Sequence, residues 1–278
     1  MKRVAFLGPE GTYTEEALRA SAPGNVESVP YPSIHETVMA VHERETDLGV
    51  VPIENSLEGA VTTTLDLLAG EAADVRIAAE IDFPVRHFLV APRELALEEI
   101  ERVISHPQAT AQCARFLRDR LPHAERVATG STAEAVRIVA ASDAPWAALG
   151  SRLAASLYGA VVVAEGVEDH EANETRFVWL APEGFEPWGE ANKTSIVFWG
   201  FNDVSPGALV DVLRELSSRE INLTKIESRP RRMGLGHYMF FADLDGAVSD
   251  PRIAAALDAL GSRVETMRVL GSYPAGTT

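Results

Sequence analysis

Several features that would reveal a function at once are scarce in this chain of 278 residues. Cys113 is its single cysteine, so one chain cannot form an internal disulfide, and a reducing compartment fits best. No apolar run is long enough to cross a membrane. The first apolar run, Val4 to Gly8, is too short for a signal peptide. We therefore expect a cytoplasmic protein with no membrane partner.

Positive charge is also scarce. Lys and Arg number 25 against 41 Asp and Glu, which gives a formal net charge of −16 at pH 7. Nucleic acids and anionic membranes repel such a surface, so we expect no nucleic-acid partner. An anionic small molecule could bind only where a local cluster of hydrogen-bond donors opposes the overall field.

Sequence signatures of metal and nucleotide sites are missing as well. The seven histidines form no H-E-x-x-H pattern and no cluster with cysteine, and neither common phosphate-binding glycine motif occurs. We expect no metal and no organic cofactor. Cys113 lies within the helical pattern 108–121 and is interpreted as a small buried apolar residue rather than a nucleophile.

Up to Pro182, short apolar runs alternate with helical patterns. The predicted strands are Val4–Leu7, Leu48–Ile53, Arg76–Ile81, Val85–Ala91, Val103–Ile104, Trp146–Leu149, Val161–Ala164 and Phe177–Leu180. Thr12, Ser33 and Ser131 each have a glutamate three residues later, and these capping boxes predict helix starts. Such an alternation predicts an α/β fold with largely parallel strands.

The segment PEGFEPWGEAN, residues 182–192, has no periodicity and is interpreted as a linker. The strands predicted beyond it are Thr194–Trp199, Leu223–Glu227, His237–Leu244 and Val264–Gly271. One helix is predicted over 206–219 with Ser205 as its cap, and another from Pro251 to about Leu260. This βαββαβ order is ferredoxin-like, and its exposed edges favour pairing with a second copy.

Polar clusters stand at the strand ends and helix starts of the first module. They are GPEGTYT (8–14), PIENS (52–56), SHPQA (105–109), GSTAEA (130–135), GS (150–151) and NETRF (173–177). The carboxyl ends of strands and the amino ends of helices are where an α/β sheet binds anions. Taken one at a time, each cluster is more often a cap or a turn, and Arg176 could simply pair with Glu171 or Glu174. Together they predict one anionic ligand.

These clusters carry a resemblance to a known family. The motifs GPEGTYTEEA (8–17), VPIENSLEG (51–59), SHPQA, STAEA (131–135), ALGSRLAA (148–155) and NETRF occur in order. GALV (207–210) and ESRP (227–230) follow in the second module. With these motifs the chain resembles the prephenate dehydratases over essentially its whole length. We expect the monofunctional arrangement, because no chorismate mutase-like helical region precedes Lys2.

The resemblance implies a dehydratase domain over 1–184 with two lobes, like a periplasmic binding protein, and an active site in the cleft. Lobe one would hold about 1–78 and 160–184, and lobe two about 79–159. Residues 193–272 would form a regulatory ACT domain of the ferredoxin-like type. The implied reaction converts prephenate to phenylpyruvate, water and carbon dioxide in phenylalanine biosynthesis.

The resemblance also implies site residues. Thr175, in the family's T-R-F motif, would be the catalytic hydrogen-bond donor, with Asn55 and Glu54 as further catalytic candidates; Glu54 is either a proton relay or an orienting group. The expected substrate contacts are Thr12, Ser56, Ser105, His106, Gln108, Ser131, Thr132, Ser151, Asn173, Arg176 and Phe177. Arg176 would either grip a substrate carboxylate or lock its loop.

Phenylalanine is the expected effector, bound in the second module between two copies of a homodimer or homotetramer. The expected contacts are Gly207, Ala208, Leu209, Val210, Asn222, Glu227, Ser228, Arg229 and Pro230. Two alternatives stay open. An arogenate dehydratase would act on the amino analogue of prephenate. An amino-acid sensor would bind without catalysis, although an intact Thr175 and Arg176 argue against it.

Overall fold

The computed structural model describes residues 1–201, 205–234 and 236–276 of the chain. In chain order the strands are β1 Lys2–Leu7, β2 Val26–Tyr31, β3 Leu48–Asn55, β4 Gly59–Ala60, β5 Val75–Pro84, β6 Phe88–Ala91, β7 Arg102–Ser105, β8 Glu125–Ala128, β9 Trp146–Gly150, β10 Val161–Glu165, β11 Glu174–Pro182, β12 Lys193–Trp199, β13 Leu223–Pro230, β14 Tyr238–Asp245 and β15 Thr266–Tyr273. The helices are α1 Tyr13–Ser21, α2 Ile34–His42, α3 Thr62–Ala69, α4 Pro107–Gln112, α5 Ala114–Arg120, α6 Thr132–Ala140, α7 Arg152–Tyr158, α8 Ala208–Ser217 and α9 Pro251–Gly261.

The strands form three sheets, which define two lobes and a C-terminal module. The first lobe has the order β2-β1-β3-β11-β5, with β4 beside β3. The second lobe has the order β10-β6-β9-β7-β8, and the C-terminal module the order β13-β14-β12-β15. The α/β class, the two lobes and the ferredoxin-like βαββαβ module are thereby confirmed.

The lobe boundaries differ from the expected ones. β5 continues to Pro84 in the first sheet, and β10 pairs antiparallel with β6 in the second. The chain therefore crosses between lobes at 85–87 and again at 166–173, rather than near 79 and 160. The predicted strand Val85–Ala91 is split by the first crossing. Hydropathy marks apolar runs but carries no information about which sheet an apolar strand joins.

The prediction of largely parallel strands is wrong. β1 is parallel to β2 and β3, and β7 is parallel to β8 and β9. β11 runs antiparallel to both of its neighbours, and so does β6. β6 and β11 are the first strands after the two crossings, so each enters its sheet from the other lobe and runs opposite to its neighbours. The predictions also missed β2, β4 and β8; β2 and β8 lie at sheet edges and are too exposed to form apolar runs.

The predicted capping residues begin their helices. The side chains of Thr12, Ser33 and Ser131 accept hydrogen bonds from the backbone three residues later. In α1 and α6 the glutamate of the box reaches the residue before the cap, because Gly11 and Gly130 donate to Glu15 and Glu134. In the C-terminal module, α8 starts two residues later than predicted. Its cap is Gly207 rather than Ser205, with a φ of 87° that favours glycine.

The C-terminal module packs on the back of the first lobe. Val197, Phe241 and Leu270 share one apolar core with Ile77 and Val178 of the first sheet. A Cβ atom on Gly271 would collide with the backbone of Ile77, so β15 and β5 approach each other as closely as only glycine permits. The cleft between the lobes and the surface that carries the C-terminal module are therefore opposite sides of one sheet.

Among the described residues, no helix is long and apolar enough to cross a membrane. Cys113 ends α4 and is fully buried in the second-lobe core, and burial raises the pKa of its thiol. Its interpretation as a buried apolar residue is confirmed. The helical pattern 108–121 is interrupted at this residue and forms α4 and α5.

Candidate active site

A cavity of about 410 Å³ lies between the two lobes. Its walls come from the amino ends of α1, α4 and α6, from β3 and β11, and from the two crossings. The lining residues are Leu7, Gly8, Thr12, Tyr13, Thr14, Pro32, Pro52, Asn55, Val61, Val85, His87, His106, Gln108, Ala109, Gln112, Gly130, Ser131, Thr132, Asn173, Thr175 and Phe177.

Many of the predicted site residues meet in this cavity. They are Thr12, Asn55, His106, Gln108, Ser131, Thr132, Asn173, Thr175 and Phe177. Thr12 and Ser131 also cap α1 and α6, so the same side chains that start the helices border the site. His106 caps α4 by accepting from the backbone of Gln108 through Nδ1, at 3.3 Å.

Thr175 and Asn55 are register partners on the adjacent strands β11 and β3. Asn55 Nδ2 donates to Thr175 Oγ1 at 2.9 Å. Asn55 Oδ1 accepts from the backbone amides of Leu57 and Glu58, both at 3.0 Å, and this fixes which end of the side-chain amide is the donor. Among the described residues, Thr175 Oγ1 is only an acceptor. Its own hydrogen is therefore left to be donated into the cavity.

Three predicted serines hold the backbone instead of lining the cavity. Ser105, fully buried, donates to the Leu149 carbonyl oxygen at 2.9 Å. Ser151, also fully buried, caps α7 and donates to the carbonyl oxygen of Gly11 at 2.9 Å. Ser56 accepts from the backbone of Glu174 at 3.0 Å. Each hydroxyl satisfies a neighbouring loop, which is the ordinary role of a hydroxyl at a turn.

Arg176 points away from the cavity, because successive residues of a strand face opposite sides of the sheet. Its guanidinium contacts Asp243 at 2.7 Å, Glu54 at 3.1 Å and Glu80 at 3.3 Å. Burial by itself would lower the pKa of Arg176, but Asp243 and Glu80 raise it above its usual range. This geometry fits the expectation that Arg176 locks its loop better than the expectation of a substrate clamp. The locking carboxylates are Asp243, Glu54 and Glu80 rather than Glu171 or Glu174.

Arg176 belongs to an interdomain ion network, which we define as Arg176, Lys193, Lys225, Glu54, Glu80 and Asp243. Lys225 contacts Glu54 at 2.9 Å, and Lys193 contacts Glu80 at 2.6 Å. The three carboxylates and three cations join the back of the first sheet to the C-terminal module. Glu54, a predicted catalytic residue, therefore lies in this network on the face opposite Asn55 and is absent from the cavity lining.

Four polar lining residues were not predicted from the sequence: Tyr13, Thr14, His87 and Gln112. Gln112 follows Gln108 by four residues on α4, so helical periodicity could have found it. Tyr13 lies inside the GPEGTYT cluster, but from sequence it cannot be told apart from an ordinary aromatic residue of the core. His87 stood within a predicted strand and gave no signal, because its place at the lobe crossing is a tertiary feature.

The electrostatics of the cavity suit an anion. Its polar lining consists of hydroxyl, amide and imidazole groups from the residues named above. The amino ends of α1 and α6 open toward it, and helix amino ends carry partial positive charge. No group of three or more His, Cys, Asp or Glu residues suited to a metal ion occurs in the described parts of the chain.

A second cavity, of about 370 Å³, lies in the C-terminal module. It is lined by Phe201, Ser205, Gly207, Ala208, Leu209, Val210, Gly236, Tyr238 and Phe240, so the GALV residues predicted for an effector border it. The ESRP residues lie on edge strand β13 and are not in this lining. Arg229 instead contacts Asp66 of the first lobe at 2.9 Å, and Asn222 donates to Asp245 at 2.7 Å.

Two family models match the chain. The prephenate dehydratase model matches residues 4–184, and the ACT domain model matches residues 195–262. The first covers both lobes, and the second covers most of the C-terminal module.

Individual relatives agree with these matches. A prephenate dehydratase of Mycolicibacterium vanbaalenii is 41% identical over 99% of this chain and 92% of its own. The crystal structure of an Arthrobacter aurescens prephenate dehydratase in complex with L-Phe has a TM-score of 0.88 and 39% identity, covering 98% of this chain and 89% of that one. GqqA, described as a novel type of quorum-quenching acylase, has a TM-score of 0.87 and 31% identity, covering 99% and 98%. Since the fold occurs under two described activities, the fold alone does not fix the activity, which depends on the residues of the site.

Proposed function

This chain belongs to the prephenate dehydratase family, and from that premise we propose that it converts prephenate to phenylpyruvate, water and carbon dioxide in the interlobe cavity. The observation that carries the proposal is the Asn55–Thr175 hydrogen bond, which leaves the threonine hydrogen facing the cavity. Loss of the ring hydroxyl needs a donor at the departing oxygen.

The chemistry requires little from the protein beyond placement and charge stabilisation. The bond between the ring and its carboxylate breaks, and its electron pair enters the ring. The bond to the hydroxyl oxygen breaks as the ring becomes aromatic, and the departing oxygen takes a proton from solvent and leaves as water. A threonine hydroxyl is too weak an acid to act alone as an efficient general acid. We assign Thr175 as a positioned donor, with most of the rate due to orientation and preorganised dipoles.

Two carboxylates of prephenate must be bound without positive side chains at the cavity wall. The amino ends of α1 and α6, marked by Thr12 and Ser131, supply partial positive charge. The Gln112 side chain accepts through Oε1 from His87 and Asn173, so its amide nitrogen is a donor for the substrate. Gln108 and Thr132, at the starts of α4 and α6, are proposed to add further donors.

Regulation is proposed for the C-terminal module. L-phenylalanine would occupy the cavity bordered by Gly207 to Val210, with its ring against Phe240 and Tyr238. The neighbour from Arthrobacter aurescens was solved with L-Phe, which supports this ligand. Because GALV and ESRP do not meet within one chain, ESRP from a second copy would complete the site, so we propose a homodimer or a larger assembly that contains it.

The domain division follows from the same premise. We propose a catalytic domain over 1–184 and a regulatory domain over 193–272, joined by the segment between β11 and β12. A cytoplasmic location is proposed because the single cysteine is a buried thiol rather than half of an internal disulfide.

The test is turnover of prephenate by purified protein, followed by phenylpyruvate absorbance, for the wild type, Thr175→Ala and Thr175→Ser. The alanine variant should lose roughly 100-fold or more in kcat, the scale for removing one transition-state donor. Its KM should change less, and the serine variant should keep much of the activity because its hydroxyl survives. Normal turnover by Thr175→Ala would exclude the assigned role.

Parallel assays separate the alternatives. Arogenate is offered in place of prephenate, with its product phenylalanine measured by chromatography, and a higher kcat/KM for arogenate than for prephenate would replace the proposed substrate. An absence of turnover with either compound, together with tight binding of an amino acid, would favour the sensor.

A further inference from the structure

A continuous chain of hydrogen bonds joins both lobes along the cavity wall. Its members, which we name the interlobe chain, are Tyr13, His87, Gln112, Asn173, Asn55 and Thr175. Tyr13 Oη lies 2.8 Å from His87 Nδ1, and His87 Nε2 lies 2.9 Å from Gln112 Oε1. Asn173 Nδ2 donates to Gln112 Oε1 at 3.1 Å, and Asn55 Nδ2 donates to Asn173 Oδ1 at 2.9 Å.

The direction of these bonds is fixed from the Asn55 end. The backbone amides of Leu57 and Glu58 occupy Asn55 Oδ1, so the facing Asn173 must present its oxygen to Asn55 Nδ2. The nitrogen of Asn173 then faces Gln112, which must present its oxygen. Each amide has one donor end and one acceptor end, so the choice at Asn55 sets the next two.

His87 completes this sequence. Its Nε2 faces an oxygen, Gln112 Oε1, and must therefore carry the hydrogen. The side chain is only 2% exposed, and burial lowers the pKa of His87, so a neutral ring is favoured. In a neutral ring with Nε2 protonated, Nδ1 is an acceptor. The single hydrogen of the Tyr13 hydroxyl is then shared between His87 Nδ1 and the Arg86 carbonyl oxygen, which both lie 2.8 Å from Tyr13 Oη.

We propose that His87 is a positioning residue for the dehydration. Its Nε2–H group holds the oxygen of Gln112 against the wall, which directs the Gln112 amide nitrogen toward the substrate. The same contact keeps the Gln112 oxygen facing Asn173, and thereby supports the Asn173–Asn55–Thr175 bonds that leave the threonine hydrogen free. This inference rests on the proposed function, because it assigns Thr175 and Gln112 to the reaction.

The position of His87 makes this role specific. His87 lies at the first crossing between the lobes, with Tyr13 on the first lobe and Gln112 on the second. Its backbone amide donates to the buried carboxylate of Glu168 at 2.9 Å, so the ring is held at its base as well as at both nitrogens. A residue at this position contacts both walls of the cavity and can align hydrogen-bond donors that come from different lobes.

The experiment compares His87→Leu with His87→Gln. Leucine fills the space and donates nothing, whereas the glutamine amide nitrogen can take the place of Nε2. We expect His87→Leu to lower kcat about tenfold or more and His87→Gln to recover to within about threefold of wild type. A residue needed only for packing would give the reverse order or equal losses. Equal kcat values for the two variants would overturn the proposal.

Two further measurements separate a hydrogen-bonding role of His87 from a packing role. Val90→Ala, in the buried part of neighbouring β6, controls for a general loss of core packing and should leave kcat within about twofold of wild type. Long-range proton–nitrogen NMR of the histidine rings, assigned by difference with His87→Gln, should show a neutral ring protonated at Nε2 near pH 7. An Nδ1-protonated or charged ring would refute the proposal whether or not the protein is active.

The outcomes separate this inference from the proposed function. A wild type without turnover of prephenate or arogenate would refute the function, and the NMR result would still test the hydrogen-bond directions. An active wild type with unaffected His87 variants would refute only the role of His87.

Discussion

Replacing Asp243 by asparagine should weaken the attachment of the C-terminal module to the first lobe. The Asp243 carboxylate is buried, contacts Arg176 at 2.7 Å and accepts from Ser195 at 2.6 Å. Asparagine keeps the shape and one accepting oxygen but removes the charge. Arg176 then loses its shortest carboxylate contact while it remains buried, with Glu54 and Glu80 as its other partners.

The size of the effect follows from that geometry. Removing one partner of a buried ion pair costs about 3–5 kcal/mol when the other charge is left alone. Because two carboxylates remain beside Arg176, we expect about 2–3 kcal/mol. At roughly 2–4 °C of Tm per kcal/mol for a chain of this size, Tm should fall by about 4–12 °C.

Scanning calorimetry of the two variants Asp243→Asn and Asp119→Asn tests this reasoning. Asp119 makes the same type of contact with Arg118, at 2.8 Å, but both side chains are more than half exposed. The surface variant should melt with the wild type, because exposed pairs are screened by solvent. If Asp243→Asn also melts with the wild type, the interdomain ion network does not hold the module in place.

Three further predictions follow. Calorimetry should show that L-phenylalanine binds the intact chain and binds Ala208→Leu at least about tenfold more weakly, because leucine fills the C-terminal cavity. The control is Ala255→Leu, on the exposed face of α9. Equal binding to both variants would exclude the site. Exhaustive chelation should leave prephenate turnover unchanged, and activity restored only by a divalent ion would contradict this. Burial would raise the pKa of Asp243, but Arg176 and Ser195 lower it overall. The contribution of the Asp243 carboxylate to stability is therefore present above about pH 4 and is lost as the pH falls through the folded pKa. The unfolding free energies of wild type and Asp243→Asn should converge in acid, and a difference that stays constant with pH would refute the assignment.

The sequence by itself determined the division into modules and the order of elements in the C-terminal module, and in the first module it located all strands except β2, β4 and β8. Apolar runs of strand length, serine and threonine caps, and the linker 182–192 are local signals, and local signals act within one turn or one strand. They located α1, α2 and α6 to within a residue at their starts, and the β-strands of the C-terminal module to within a few residues. The ordered motifs also identified the family, because they recur at fixed places in the chain.

Only the tertiary structure decided which polar residues face the interlobe cavity. Thr175 and Arg176 are neighbours in one motif, but strand alternation sends one into the cavity and the other toward Asp243. Which of the two faces the cleft depends on where the C-terminal module packs, and no local pattern encodes that. The same holds for the bond between Asn55 and Asn173, which are 118 residues apart, and for His87, whose role exists only where two lobes meet.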